Sequence, residues 1–316
     1  MAIEFESGVA PVTRRVRAFF APVDRVSGVP TLFDAAGMAA FDVDAPPPPW
    51  LDLGWCSGFV RKSGTKVSAL TAGAPGVAIS QVRTEIDASV SVEFDHWGKL
   101  QMALSGGCQQ MNTLAPAFPA DALTASSAAT TATSLDVGVA AAASFGTGDV
   151  VAVDFDYAGQ AGFVGSGTSG AYVRSAVAIG INPDYVRCVT LNVARVTAVV
   201  DGTLMLGAPL LAGIPADGMK VSRVIGFCDR EGGSFFQEWS ALFVLEGTQG
   251  DRVVFHYPRL QVKSAAEEKP EEMAGRSGFA RLRLAGHFRA LPVKDPHDGE
   301  TILCYRSYLP AAMRAV

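Results

Sequence analysis

The sequence lacks a long apolar run. A membrane-spanning helix needs about 20 consecutive apolar residues, and no stretch of this chain approaches that length. The N-terminal residues also lack the uninterrupted apolar segment of a signal peptide. We therefore expect a protein that is neither embedded in a membrane nor exported by a signal peptide.

Closely spaced cysteines are also missing. The chain has five cysteines and no Cys-x-x-Cys pair: Cys56, Cys108, Cys188, Cys228 and Cys304. This spacing excludes zinc-ribbon and thioredoxin-type motifs. An odd number of cysteines in a chain without a signal peptide predicts reduced, buried thiols made in a cytoplasm.

Familiar catalytic motifs are absent as well. There is no Gly-x-x-x-x-Gly-Lys-Ser/Thr phosphate loop and no Gly-x-Ser-x-Gly nucleophile elbow. No pair of histidines or cysteines has the spacing of metal ligands. We expect no enzyme activity, no cofactor and no metal. A site that assembles only in the folded chain, for instance around Cys228 or His256, stays open as an alternative.

What the chain does contain is apolar residues and glycine. It is 49% hydrophobic and only 18% charged, with 33 glycines and 18 prolines. This composition is typical of β-sheet proteins with many tight turns, and equally of a surface that is largely covered by partners. The net charge of −5 argues against a surface that binds nucleic-acid phosphates throughout.

Residues 51–94 predict a long β-hairpin, because two strand-like runs flank a turn-rich centre. In the second run Val90, Val92 and Phe94 alternate with polar residues, which predicts a half-buried strand. The hairpin tip reads AGAPG and is too apolar for a loop that simply faces water. The residues of this tip are Ala72, Gly73, Ala74, Pro75 and Gly76.

The period then changes from two residues to that of a helix. The spacing of Trp97, Leu100 and Leu104 predicts a short amphipathic helix of about three turns. Asp95 is placed to cap its start, and the Gly-Gly pair at 106–107 is placed to end it.

A second aromatic cluster lies in DREGGSFFQEWS, residues 229–240. Phe235, Phe236 and Trp239 are candidate anchors of an inter-subunit contact. The same pattern also fits a strand corner whose aromatic side chains fill the core, and the sequence does not separate the two interpretations.

The pattern as a whole predicts a mostly β protein with one short helix. Residues 1–115 and 218–316 form one split β-sandwich or barrel domain in this interpretation. Residues 116–217 form an inserted or second small β-domain, which begins with a linker rich in Ala, Ser and Thr.

Three stretches together resemble the tail tube (major tail) proteins of long-tailed bacteriophages. They are LGWCSGFVRKSGTKV, VSVEFDHWGKLQMALSGGCQQMN and the terminal strands through ETILCYRSYLP. The resemblance covers about the first and last thirds of the chain. Residues 116–211 have no counterpart in the smallest family members.

The resemblance implies a structural virion protein without cofactor or enzyme activity. It implies a β-sandwich or barrel with a flanking helix, and rings of six copies, or of six pseudo-equivalent domains, stacked into a hollow tail tube through which DNA passes. The expected partners are further copies of the chain, the tape measure and terminator proteins, and a sheath in contractile tails. The expected location is the virion, after assembly in the bacterial cytoplasm.

The resemblance also implies roles for particular residues. The apolar hairpin tip, residues 72–76, would pack under the next ring and so contact another subunit. Trp97, Leu100 and Leu104 would pack the helix on the outer side of the sheet. Glu85, Asp87 and Glu93 share one strand face and are candidates for the tube lumen, where carboxylates would keep passing DNA from binding. They are equally compatible with ordinary exposed strand positions. The alternative function is a monomeric β-sandwich that serves as a binding or decoration module.

Overall fold

The structure, a computed structural model, is mostly β, as the sequence predicts, and divides into two compact units. It describes residues 13–23, 29–47, 49–96, 98–107, 109–115, 121–122, 130–154, 163–165, 187, 190, 192–230, 238–247, 250–263, 267–272 and 280–309. The first unit comprises Met1–Ala21, Pro30–His96 and Trp239–Val316, and the second comprises Pro22–Val29 and Trp97–Glu238.

The strands follow one another along the whole chain. They are β1 (Thr13–Pro22), β2 (Leu51–Ala72), β3 (Val77–Phe94), β4 (Gln109–Leu114), β5 (Asp121–Ala122), β6 (Ser134–Asp136), β7 (Val150–Asp154), β8 (Phe163–Gly165), β9 (Val193–Val200), β10 (Thr203–Leu206), β11 (Lys220–Arg230), β12 (Glu238–Gly247), β13 (Arg252–Val262), β14 (Glu267–Glu272), β15 (Ala280–Ala290), β16 (Val293–Lys294), β17 (Thr301–Ile302) and β18 (Tyr305–Leu309). The helices in the described residues are short: α1 (Lys99–Gly106), α2 (Gly138–Ala142) and a 3₁₀ turn, Ala35–Ala40.

The first unit is built around a closed ring of strands. Its sheet has the order β14-β15-β3-β2-β1-β12-β13-β18, and β13 also pairs with β15. This extra pairing closes β15, β3, β2, β1, β12 and β13 into a six-stranded barrel, and leaves β14 and β18 at the two ends of the sheet. Closure removes the free edges of the six ring strands at the barrel itself.

Aromatic side chains fill the barrel. Phe20, on β1, has its ring centroid 5.5 Å from that of Phe288, 6.0 Å from that of Phe243 and 6.2 Å from that of Trp239. All four side chains are fully buried or nearly so. Because these residues come from three strands of the ring and contact one another, they lie on its inner face.

The segment between β1 and β2 covers the outer face of part of the ring. Phe41, Val43 and Trp50 form a second buried cluster with residues of β1, β12 and β13. The Arg17 guanidinium fixes this segment, because it lies 2.6 Å from carboxylate oxygens of both Asp44 and Asp52. Both faces of β1 and β12 are therefore buried, which explains why residues 239–244 are all buried and why residues 241–245 are apolar without alternation.

The second unit contains a separate sheet with the order β6-β10-β9-β7-β11-β4-β8, and β5 also pairs with β11. Its core includes Leu135, Val153, Val196, Leu204 and Val221. The described residues of the Ala/Ser/Thr-rich stretch, 121–122 and 130–149, belong to this unit, and Leu135 among them is completely buried. The linker expected from its composition is thus a folded segment over these residues.

The unit boundaries differ from the predicted ones, 115/116 and 217/218. They fall at 96/97 and 238/239, because β11 pairs with both β4 and β7. Strands β4 and β11 flank the predicted insertion in sequence, and these pairings place both of them in one sheet with β7 of the insertion.

The helix also differs from its prediction in place and length. It belongs to the second unit, where it packs on β4 and β11. It begins after Gly98, not at Asp95, because the Asp95 backbone N–H continues the strand pairing by donating to the Trp55 carbonyl at 3.0 Å. Gly107 ends it in a left-handed conformation, as its Gly-Gly pair predicts. Leu104 is fully buried and Leu100 half-buried, whereas Trp97 lies outside the described residues.

Candidate functional site

The most unusual surface of the first unit is the distal part of the hairpin formed by β2 and β3. We call residues 62–87 the arm. Every side chain in the arm is exposed, on both faces of the hairpin. Each strand of the arm has about ten residue steps, so at about 3.4 Å per residue the arm is about 35 Å long.

The arm is a ribbon of two strands because its neighbours stop at its base. Among the described residues, β1 pairs with β2 only up to Cys56, and β15 pairs with β3 only from Ser89 onward. Beyond these points β2 and β3 pair with each other alone, as far as Ala72 and Val77. A two-stranded ribbon without a packed face is marginally stable in water, so this feature calls for a partner.

The arm exposes large apolar side chains and few charges. Seven large apolar side chains of the arm and its base are between 48% and 63% exposed: Val60, Val67, Leu70, Val77, Ile79, Val82 and Ile86. Residues 67–82 contain no charged side chain at all. Full burial of one such side chain contributes about 1.5–3 kcal/mol, and apolar patches of this kind mark interaction surfaces.

Two side chains of β2 hold the base of the arm to the barrel. The Arg61 Nε–H donates to the Tyr257 hydroxyl at 3.2 Å, and the guanidinium lies over the Phe255 ring at 5.3 Å. The Phe59 ring packs 5.5 Å from Phe255 and 5.1 Å from Phe243. Because the Tyr257 hydroxyl is buried, its pKa is raised to about 12 and it stays protonated. The barrel thus fixes the direction in which the arm leaves it.

The predicted lumen residues lie on one face of β3, opposite Val90, Val92 and Phe94. The Glu85 carboxylate forms an ion pair with Lys66 on the other strand of the arm. The Asp87 carboxylate lies 3.2 Å from the Arg289 guanidinium, and Glu93 is half-buried. The Glu85 and Asp87 carboxylates are therefore paired with cations of the same chain, which weakens the negative potential expected of this row.

The predicted contact residues divide into three groups. The tip residues Ala72, Gly73, Ala74, Pro75 and Gly76 are exposed at the end of the arm. Phe235 and Phe236 lie outside the described residues. Trp239 has no exposed surface and packs inside the barrel, so the core interpretation holds for it and it is not a contact residue.

Sequence reasoning named only the tip and missed the apolar side chains along the rest of the arm. The signal that identifies them is the absence of charge from residues 67–82 within a run that otherwise reads as strand. A strand in water normally carries polar side chains on its outer face.

Catalytic chemistry finds little support in the described residues. Two Ser–His contacts occur among them. The Ser91 Oγ lies 3.0 Å from the His287 Nδ1, at half-buried strand positions, and the Ser240 Oγ lies 3.1 Å from the His256 Nε2. Ser240 and His256 are fully buried, where no substrate reaches them. Burial raises the pKa of the Cys56 thiol to about 12, which keeps it protonated. No group of three or more His, Cys, Asp or Glu in the described ranges is placed to hold a metal ion. No helix among these residues is long and apolar enough to cross a bilayer.

The buried His256 predicts acid sensitivity. Burial lowers its pKa in the folded protein from 6.5 to about 4. Between these values the unfolded chain binds a proton that the folded chain does not, so the free energy of unfolding falls as the pH drops from about 6.5 to about 4, by up to about 3 kcal/mol. Urea unfolding at pH 7 and pH 5 measures the loss, and we expect it to shrink in His256→Phe.

The matched control is Phe288→Leu, which changes a fully buried side chain that does not titrate. It should keep the wild-type difference between pH 7 and pH 5. An equal difference in wild type and His256→Phe would contradict the assignment to His256.

Comparison with known proteins gives no family for this chain. No protein-family model matches its sequence, and a search of curated proteins finds no significant match.

Proposed function

We propose that this chain is a structural protein that assembles with copies of itself, as the subunit of the tail tube of a bacteriophage or phage-like particle. The observation that carries the proposal is the arm, which is exposed on both faces, uncharged from residue 67 to residue 82 and apolar at seven positions including its base. A monomer gains nothing from exposing such a ribbon, whereas a neighbouring copy that covers it gains the free energy of burying it.

The barrel supports the same proposal. It positions a ribbon about 35 Å long and fixes its base through Arg61 and Phe59, so each subunit presents its arm in a defined direction. A closed ring requires such a defined direction, because every pair of neighbouring subunits must make the same contact at the same rotation angle. In the proposed particle the tube lies in the virion, and DNA passes through it without specific binding.

The two units favour six copies in a ring over three. A ring of three chains would need two pseudo-equivalent domains in each chain. The two sheets differ in strand order, and among the described residues only the first unit carries an arm. The role of the second unit in this assembly is then decoration of the tube or contact with other tail proteins.

Imaging of the purified protein tests the proposal. Over a series of rising concentrations, sedimentation should detect large species, and negative-stain electron microscopy should show rings or stacked tubes with a central channel. A single monomeric species at every concentration, with no ring in the images, would refute self-assembly and favour the monomeric binding or decoration module.

A further inference from the structure

The first unit has several strand edges that lack a neighbour among the described residues. They are the outer edges of β14 and β18 at the ends of the sheet, and the two outer edges of the arm. Such edges present unpaired N–H and C=O groups and invite another strand to add. Natural proteins protect the strand edges that must stay unpaired. An unprotected edge therefore indicates a place where a strand of another molecule can pair.

Two of these edges are blocked. Strand β14 reads EEKPEE, and a proline together with repeated charges is a common protection against strand addition. On the β3 side of the arm the register shifts twice, since Lys66 and Val67 pair with Glu85 and Arg83, and a second shift follows near the tip. Each shift places an extra residue on β3, first Thr84 and then Ile79. These bulges interrupt the regular edge.

The other two edges are open. From Val60 to Ala72, β2 pairs residue by residue with no extra residue of its own, and it has no proline and no charge after Lys66. Strand β18 has no proline and one charge, Arg306, and exposes 54% of the Tyr308 side chain. The uncharged stretch of β2 and the five residues of β18 have nearly the same length, about 17–20 Å.

We propose that the outer edge of β2, residues 67–72, adds as a strand to the outer edge of β18 in a second copy of this chain. This inference rests on the proposed function and names the surface that receives the arm. Within one chain β2 and β18 are both described and are separated in the sheet by β1, β12 and β13, so the pairing joins two molecules. The exposed Tyr308 and apolar side chains of the arm then become cross-strand neighbours and contact one another.

Proline substitution tests the pairing edge. In an antiparallel pair, successive N–H groups point alternately to the two sides of a strand. Ser68 on β2 and Ser80 on β3 have the same orientation, because they belong to pairs two residues apart (Ser68 with Val82, Leu70 with Ser80). The same holds for Ala69 and Gln81, which pair with each other. One of the two sets therefore directs its N–H outward on both strands.

Within the set whose N–H groups point outward, we expect the proline on β2 to weaken assembly and the proline on β3 to leave it unchanged. The proline on β2, Ser68→Pro or Ala69→Pro, removes a donor to β18 of the second copy and raises the concentration needed for assembly about tenfold or more. Its counterpart on β3, Ser80→Pro or Gln81→Pro, leaves that concentration unchanged. Assembly that is equally affected by both members of each set would overturn the inference.

Cross-linking between variants that each carry one added cysteine tests the receiving edge. Ala69→Cys protein is mixed with Ser307→Cys protein under oxidation, and Arg306→Cys and Tyr308→Cys cover a shift of one residue in register. We expect a disulfide-linked dimer from at least one mixture. The matched control, Ala69→Cys mixed with Glu268→Cys on the blocked edge β14, should give only the background of the native cysteines in the wild type.

The outcomes separate this inference from the proposed function. If the wild type never assembles, self-assembly itself fails. If the wild type assembles and needs its arm, but the β18 mixtures give no dimer above background, then the arm docks elsewhere. In that case the proposed function stands and the pairing of β2 with β18 is refuted.

Discussion

A chain whose arm is shortened should fold and remain monomeric. The change deletes residues 68–82 and joins Val67 to Arg83 through an Asn-Gly turn, which suits a two-residue hairpin loop. The deleted residues make no contact with the barrel core, since all of them are exposed, so the far-UV circular dichroism should keep its β signature and the urea midpoint should stay close to that of the wild type. Sedimentation should give monomers at concentrations where the wild type assembles.

A point variant refines this test. Leu70→Glu places a charge on the arm at a side chain that is 59% exposed, and Val200→Glu does the same in the second unit at a side chain that is 54% exposed. If the arm is the contact surface, Leu70→Glu abolishes or strongly weakens assembly and Val200→Glu does not. Tubes that form normally from the shortened chain would show that the arm has no part in assembly.

The second large effect is on stability. Trp239→Ala should lower the free energy of unfolding by about 3–5 kcal/mol, because it removes a fully buried indole from the aromatic centre of the barrel. Equilibrium urea unfolding measures this loss. The arm-shortened background is suitable for it, since unfolding is then not coupled to assembly.

Tyr308→Ala is the control for this measurement, because its side chain is 54% exposed. We expect it to change the free energy of unfolding by less than about 1 kcal/mol. A Trp239→Ala protein that is as stable as its parent but no longer assembles would restore Trp239 as an inter-subunit contact.

Much of the hairpin follows from local sequence. Alternation of polar and apolar residues up to Phe94 places Val90 and Val92 inside, and both are buried. Glycine and proline mark the turn, which lies at residues 73–76. These features are predictable because strand period and turn chemistry depend on residues that are close together along the chain.

The unit boundaries and the position of the helix do not follow from local sequence. The pairing of β11 with β4 joins residues about one hundred positions apart, for instance Cys228 with Met111. This long-range pairing assigns α1 to the second unit, because α1 packs on both strands. The periodicity of the helix itself does not encode the pairing. The start of the helix likewise depends on Asp95, which continues the strand pairing with Trp55 and leaves the helix to begin after Gly98.

The aromatic residues illustrate the same difference. The sequence left Trp239 equally suited to a core and to a contact surface, because a large apolar side chain stabilises either environment. Only closure of the ring, through the additional pairing of β13 with β15, places it in the interior. Among the described residues the pairings of β1 with β2 and of β15 with β3 reach only Cys56 and Ser89, and the arm beyond them is uncovered.

Local sequence pattern alone specifies a β-rich chain with a long hairpin, an apolar tip and few charges. The tertiary structure decided which apolar residues are core and which are surface, because that distinction depends on which strands are neighbours. Strands β2 and β3 extend beyond the ends of β1 and β15, and among the described residues no other strand pairs with them there. The most apolar, least charged part of the hairpin is therefore exposed.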